Sequence, residues 1–176
     1  MIVIKEVKTK KDLKKFCKFP NDLYKNNPYY IPSLVADEMA MFLPEKNGAF
    51  EWSDVRVFLA YKDDKIVGFG LLVPSIAKAL KKSNGRMFPF GVFRLLKALQ
   101  GKNDILEMFL IGISPEEQSK GLPAIMLAEL AKMCKKNNIK YCETGPELEN
   151  NLAVQSLWKT FETRQHKRRR CWKKEI

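Results

Sequence analysis

The chain predicts an α/β fold on a mixed sheet, and three stretches carry that prediction. Val55, Val57, Leu59 and Tyr61 alternate at period two, and "IVGFGLLVP" returns after the turn "KDDK" as the second arm of a hairpin. "DILEMFLIGIS" (104–114) is a strongly apolar strand. The segment that follows it, 121–137, spaces Leu122, Ile125, Met126, Leu130, Met133 and Cys134 along one helical face.

The remaining elements fall around these three. "IVIKEV" (2–7) starts the chain as a strand. Leu13, Phe16 and Cys17 then share a helical face, with Thr9 as cap and Asp12 suited to the positive first turn. "FPNDLYKNNPYYIPSL" reads as a loop, rich in proline and pinned by its rings, and Ser33 as the cap of a short helix in "LVADEMAMF". Residues 74–102 form an insertion after the hairpin. It holds two basic amphipathic helices, "SIAKALKKSN" and "GVFRLLKALQ", around the aromatic turn "GRMFPFG". "KYCETG" is a further strand, 151–161 a further helix, and "RQHKRRRCW" a last extended strand. The order is β-α-α-β-β-(α-α)-β-α-β-α-β, without repeat or linker, so 1–176 reads as one domain.

Composition bounds the function. At 45% hydrophobic the chain can bury a core, which excludes disorder. A net charge of +12 and a pI near 9.6 favour anionic partners: nucleic acid, acidic lipid or a phosphorylated small molecule. Cys17, Cys134, Cys142 and Cys171 form no CxxC pair and His166 stands alone, so no metal site is expected. "MIVIKEVKTKKDLKK" is too charged for a secretory signal, and no apolar run has the length a membrane helix needs. A cytoplasmic chain with reduced thiols is the expectation.

The chemistry concentrates in "GISPEEQSKGLPAIMLAEL". A helix start presents amides without intrahelical partners and the positive end of the dipole. Gly121 lets the backbone come close to a phosphate, Lys120 adds a cation and Gln118 a side-chain amide. The stretch has the makings of a diphosphate cradle.

A strand ending in "IGIS", a Pro-Glu-Glu turn, Gln-x-x-Gly and an apolar helix resembles the acyl-CoA-binding motif of the GNAT N-acetyltransferase superfamily. The resemblance spans nearly the whole chain. "FPNDLYKNNPYYIPSL", "KNGAFEW" and "TRQHKRRRCW" look like a bacterial GNAT-like subgroup of largely unassigned function. It implies the GNAT-like acyl-CoA N-acyltransferase fold, α/β (α+β), with a mixed, mostly antiparallel sheet flanked by helices. It also implies acetyl-CoA as cosubstrate. Pantetheine would lie where the motif strand and the next strand part, along Ile111, Gly112 and Ile113. Gln118, Ser119, Lys120, Gly121, Leu122, Pro123 and Ala124 would surround the diphosphate. Pro123 departs from the family's usual Gly or Ala and removes one amide donor, though proline suits a first helical turn.

The resemblance implies a general base at Glu107, eleven residues before Gln118, for transfer to an amine of unknown identity. By period two Glu107 would share an apolar face with Ile105, Phe109 and Ile111. "NLAVQSLWKTF" resembles a further family segment, putting Asn151 and Trp158 at the cofactor, with Trp158 where a tyrosine acid is usual. An indole N–H cannot protonate a thiolate. Glu143 and Glu147 flank the slot's other strand. Two readings from other classes stand beside this one. One is a GNAT-fold module that binds CoA or another ligand without catalysis. The other is a nucleic-acid-binding protein that uses "RQHKRRRCWKK", whose plainer reading is a solvated, ion-paired strand. The insertion has four fates: packing on the sheet, lying on an anionic bilayer, capping the acceptor groove, or forming a homodimer contact.

Overall fold

The computed structural model describes residues 1–43, 45–47, 54–100, 104–149 and 151–175, with Ala153 described in its backbone alone. Most of "KNGAFEW" lies outside the described residues.

Five strands make one sheet in the order β1-β2-β3-β4-β5: Ile2–Glu6, Arg56–Lys62, Lys65–Pro74, Ile105–Ile113 and Tyr141–Thr144. The first three pairings are antiparallel and β4–β5 is parallel. The β2–β3 hairpin closes on Asp63 and Asp64, with φ of 47° and 62°. Two consecutive left-handed residues give the turn whose twist matches a tight hairpin.

Helices α1 (Lys10–Tyr24) and α2 (Val35–Phe42) cover one side of the sheet. Leu13, Phe16 and Cys17 pack there against Val57, Leu59, Phe69 and Leu71. Thr9 caps α1, its hydroxyl accepting the Asp12 amide at 3.1 Å. Burial pushes the Cys17 thiol up to about 12, so it acts as a small hydrophobe. Two expectations fail here. The helix runs through Pro20 to Tyr24, so "FPNDLY" is helical; Pro20 is buried on the packed face and tertiary burial outweighs the lost amide bond. Helix α2 is preceded by Leu34 rather than capped by Ser33, whose hydroxyl donates instead to Glu38.

The other side is covered by α6 (Leu122–Lys136), which follows a four-residue helix α5 (Pro115–Gln118) that the sequence reads as a turn. Leu122 and Met126 meet Ala60, Ile111 and Ile113; Leu127 meets Leu72, Leu106 and Met108. Between these two clusters lies a cavity of about 340 Å³, with Gly70 in its floor.

The insertion forms α3 (Ala77–Lys82) and α4 (Gly91–Leu99) at the Ile105 end of β4. Ala79 and Ala98 are buried, but Phe93 is exposed, as are Phe88 and Phe90. After α7 (Leu152–Leu157) and a 3₁₀ turn at Trp158–Thr160, the described residues form no further strand. "RQHKRRRCW" has no regular structure and meets Glu143 and Glu149 through the side chains of His166, Lys167 and Arg168 instead of through a ladder.

Gly112 sets a packing limit on β4. A Cβ there would lie 2.2 Å from the Phe69 ring. Gly112→Ala should therefore cost about 1–3 kcal/mol by overpacking, read as a lower urea midpoint with an unchanged slope.

Candidate functional site

Two irregularities in β4 shape the site. The first is a bulge: Leu71 pairs with Leu110 and Leu72 with Met108, so Phe109 is surplus. Ahead of it Leu106 and Met108 face α6; beyond it Ile111 and Ile113 do. The apolar face expected around Glu107 is thereby broken. Phe109 is 60% exposed, and Ile111 packs on the opposite side of the sheet from Glu107.

The second irregularity is a fork. β5 pairs with β4 over Ile105–Met108, and Gly145 N–H donates once more to Met108 at 3.3 Å. Beyond that point Phe109–Ile113 have no strand on this edge among the described residues. The candidates Ile111, Gly112 and Ile113 thus combine buried or half-buried side chains with an open backbone edge.

The edge leads into the turn before α6. Gly121 adopts φ +80°, a conformation glycine takes without strain, and a Cβ built there meets nothing within 4 Å. No side chain caps the helix. Among the described residues the Gly121, Leu122 and Ala124 amides have no hydrogen-bond acceptor, while Ile125 closes the first helical bond to Gly121. Leu122 and Pro123 are buried and anchor the turn; Ser119, Lys120 and Ala124 are exposed around it. Gln118 departs from the expectation of a free amide, since its Nε2 donates to the Ile113 carbonyl at 3.1 Å.

Glu117, which sequence reasoning passed over, fixes this turn. Its buried carboxylate accepts two bonds from Lys62 Nζ, both 2.9 Å, and lies 3.5 Å from Lys120 Nζ. The Lys62 bond, with Lys120 adding to it, holds the carboxyl below its ordinary range. Only a fold that lays β2 under the turn reveals the pair, because Lys62 lies 55 residues away.

On the α1 side of the fork, Glu107 accepts a 2.6 Å bond from the hydroxyl of buried Ser75, the insertion's second residue. Its neighbour in register on β5 is Glu143. Lys167 Nζ and His166 Nε2 approach Glu143 at 2.8 and 3.0 Å, and the Lys167 bond leads in pulling its carboxyl below the ordinary range. Arg168 pairs with Glu149. Asn151 caps α7, accepting from Val154 N–H at 3.3 Å. Trp158 packs against the Leu72–Leu106–Met108 cluster and donates its indole N–H to Glu147 at 2.9 Å. Among the described residues no helix is long and apolar enough to cross a membrane, and no acidic, histidine or cysteine group could hold a metal.

A family model described as "Acetyltransferase (GNAT) family" matches residues 23–162. No curated protein sequence matches the chain. Among solved structures, an integron cassette protein from V. cholerae is 19% identical with a TM-score of 0.60, covering 99% of this chain and 92% of its own. An aminoglycoside acetyltransferase, AAC(6')-Iy, bound to a CoA-acetylneamine bisubstrate analogue, is 12% identical at TM-score 0.60, with 100% and 99% covered. A ribosomal-protein-alanine N-acetyltransferase from Brucella melitensis is 9% identical at 0.60, with 99% and 100% covered. At these identities the likeness is one of fold.

The Glu117–Lys62 pair has a pH signature. Its folded pKa lies below the ordinary 4.5, so its stabilisation is full above that value and is lost as pH falls through the lower folded value. Glu117→Gln should lower the melting temperature at neutral pH, and the gap to wild type should narrow in melts taken below pH 4.5.

Proposed function

The chain belongs to the GNAT acetyltransferase family, and we propose that it transfers an acetyl group from acetyl-CoA directly to an amine. The observation that carries this reading is the fork, an open β4 edge running straight into unpartnered helix-start amides. Backbone donors on that edge suit the amide groups of a pantetheine arm. The Gly121, Leu122 and Ala124 amides, the α6 dipole and Lys120 suit a diphosphate. A Cβ built on Gly121 meets nothing within 4 Å, which supports close approach of a ligand there.

In this reading Glu107 takes the proton from the attacking ammonium, directly or through water. Ser75 orients its carboxylate. Amides of the β4 edge steady the thioester oxygen as charge gathers on it. Removing the base should lower kcat by roughly 10²–10⁴-fold. Glu107→Gln is the test, read as thioester cleavage across an amine panel with acetyl-CoA binding retained.

Pro123 tunes the donor side. A single bond to a charged acceptor contributes about 1.5–3 kcal/mol, or roughly 10- to 150-fold in affinity. Pro123→Ala restores one amide at the first turn and should tighten acetyl-CoA by at least ~10-fold in calorimetry. Absence of heat at millimolar acetyl-CoA in both proteins would remove the reading.

A second reading, CoA binding without turnover, draws support from Trp158. Its only polar hydrogen is committed to Glu147, so it offers no proton to a leaving thiolate. Binding without thioester cleavage over the whole amine panel would select it.

A further inference from the structure

A lysine of the chain's own basic segment is held at the mouth of the fork, on the side where the reading above puts the acceptor amine. β4 and β5 part immediately after Met108↔Thr144, one position beyond the Glu107↔Glu143 pair. In-register residues of neighbouring strands share a face, about 4.8 Å apart. The two carboxylates therefore line one wall at the mouth of the fork, with Ser75 beside Glu107. Onto that wall the segment after α7 delivers Lys167, its Nζ 2.8 Å from Glu143 Oε1. His166 at 3.0 Å on the same oxygen, and Arg168 on Glu149, fix the segment on both sides of it. Among the described residues, Lys167 is the only lysine paired with a carboxylate of β5.

We propose that Lys167 is a modification site of the protein's own chemistry, acetylated intramolecularly from acetyl-CoA bound in the fork. This rests on the acetyltransferase reading above. Glu143 grips the ammonium and holds the stem in place. Proton removal falls to Glu107 or to solvent, which reaches the Lys167 side chain because it is 58% exposed.

The deprotonated nitrogen attacks the thioester carbon, a C–N bond forms and the C–S bond breaks. Of the two protons the ammonium gives up, one ends on the CoA thiol and one is released to solvent. The product is a neutral amide that no longer pairs with Glu143, so acetylation loosens the strap it is made on. The positioning is geometric, since the Lys167–Glu143 pair places the nitrogen, and the His166–Glu143 contact and the Arg168–Glu149 pair hold the segment around it, before any donor binds.

The experiment incubates the full chain with deuterated acetyl-CoA and follows each lysine by peptide mass mapping. First-order labelling, independent of protein concentration, is expected at Lys167. Because the nitrogen is held in place, it should run at least ~10-fold faster than at exposed Lys65 or Lys159. Glu143→Gln should erase that preference while leaving acetyl-CoA affinity unchanged, and Lys167→Arg should remove the labelled peptide. Even labelling of all exposed lysines, or a Lys167 rate no faster in the folded chain than in the heat-denatured one, would overturn the proposal. Turnover on an external amine with Lys167 unlabelled overturns it and leaves the parent reading standing. Failure to bind acetyl-CoA at all removes both.

Discussion

Between Leu72 and Leu71 strand β3 advances one residue while β4 advances two, from Met108 to Leu110, and Phe109 is left without a partner. A bulge bends its strand and adds twist, and here it falls at the last residue that β5 can follow. Ahead of the bulge β4 is an ordinary interior strand. Beyond it the strand keeps its pairing with β3 and has no strand on its other edge among the described residues. Side-chain parity changes at the same point, which lets Ile111 and Ile113 seat the start of α6 through Leu122 and Met126. The open strand and the turn thus follow from one surplus residue.

The basic charge is distributed by the same geometry. Lys62 and Lys120 converge on buried Glu117, under the turn that would receive a diphosphate. His166, Lys167 and Arg168 are spent on carboxylates of β5 and the segment after it. A net charge of +12 reads as a field for polyanions when taken whole. In place, part of it stabilises a turn and part straps a strand.

Much of this is legible in the residues because local and global signals agree. The hairpin at Asp63–Asp64, the β4 run and the Thr9 cap each obey one periodicity or one cap rule, and the fold respects them; the α6 stripe holds in part, with Ile125 exposed and Leu127 buried in its stead. What escaped has a common cause: it is decided by contacts between distant segments. Pro20 is helical because burial against the sheet outweighs a lost bond. The bulge at Phe109 leaves no mark in a strand whose residues are all apolar except Glu107 and Gly112. Lys62 and Glu117 meet only when β2 lies under the turn. The last segment has strand-like composition, yet its lysines and arginines find carboxylates before its amides find a ladder. The positions singled out for a cofactor, Ile111 to Ile113 and Gln118 to Ala124, lie on the end of β4 and the turn into α6, with Gly112, Leu122 and Pro123 buried. Asn151 and Trp158 instead have local bonds of their own.

The free flank of β4 also bears on how the protein behaves in concentrated solution. Among the described residues no strand pairs with this flank over Phe109–Ile113, and Phe109 and Leu110 within it are apolar and exposed. Such a flank is adhesive toward any extended peptide, including the same strand of a neighbouring molecule. Pro115 limits the exposure by ending the strand, and Gln118 by occupying the Ile113 carbonyl. The short, guarded length of that flank limits self-association.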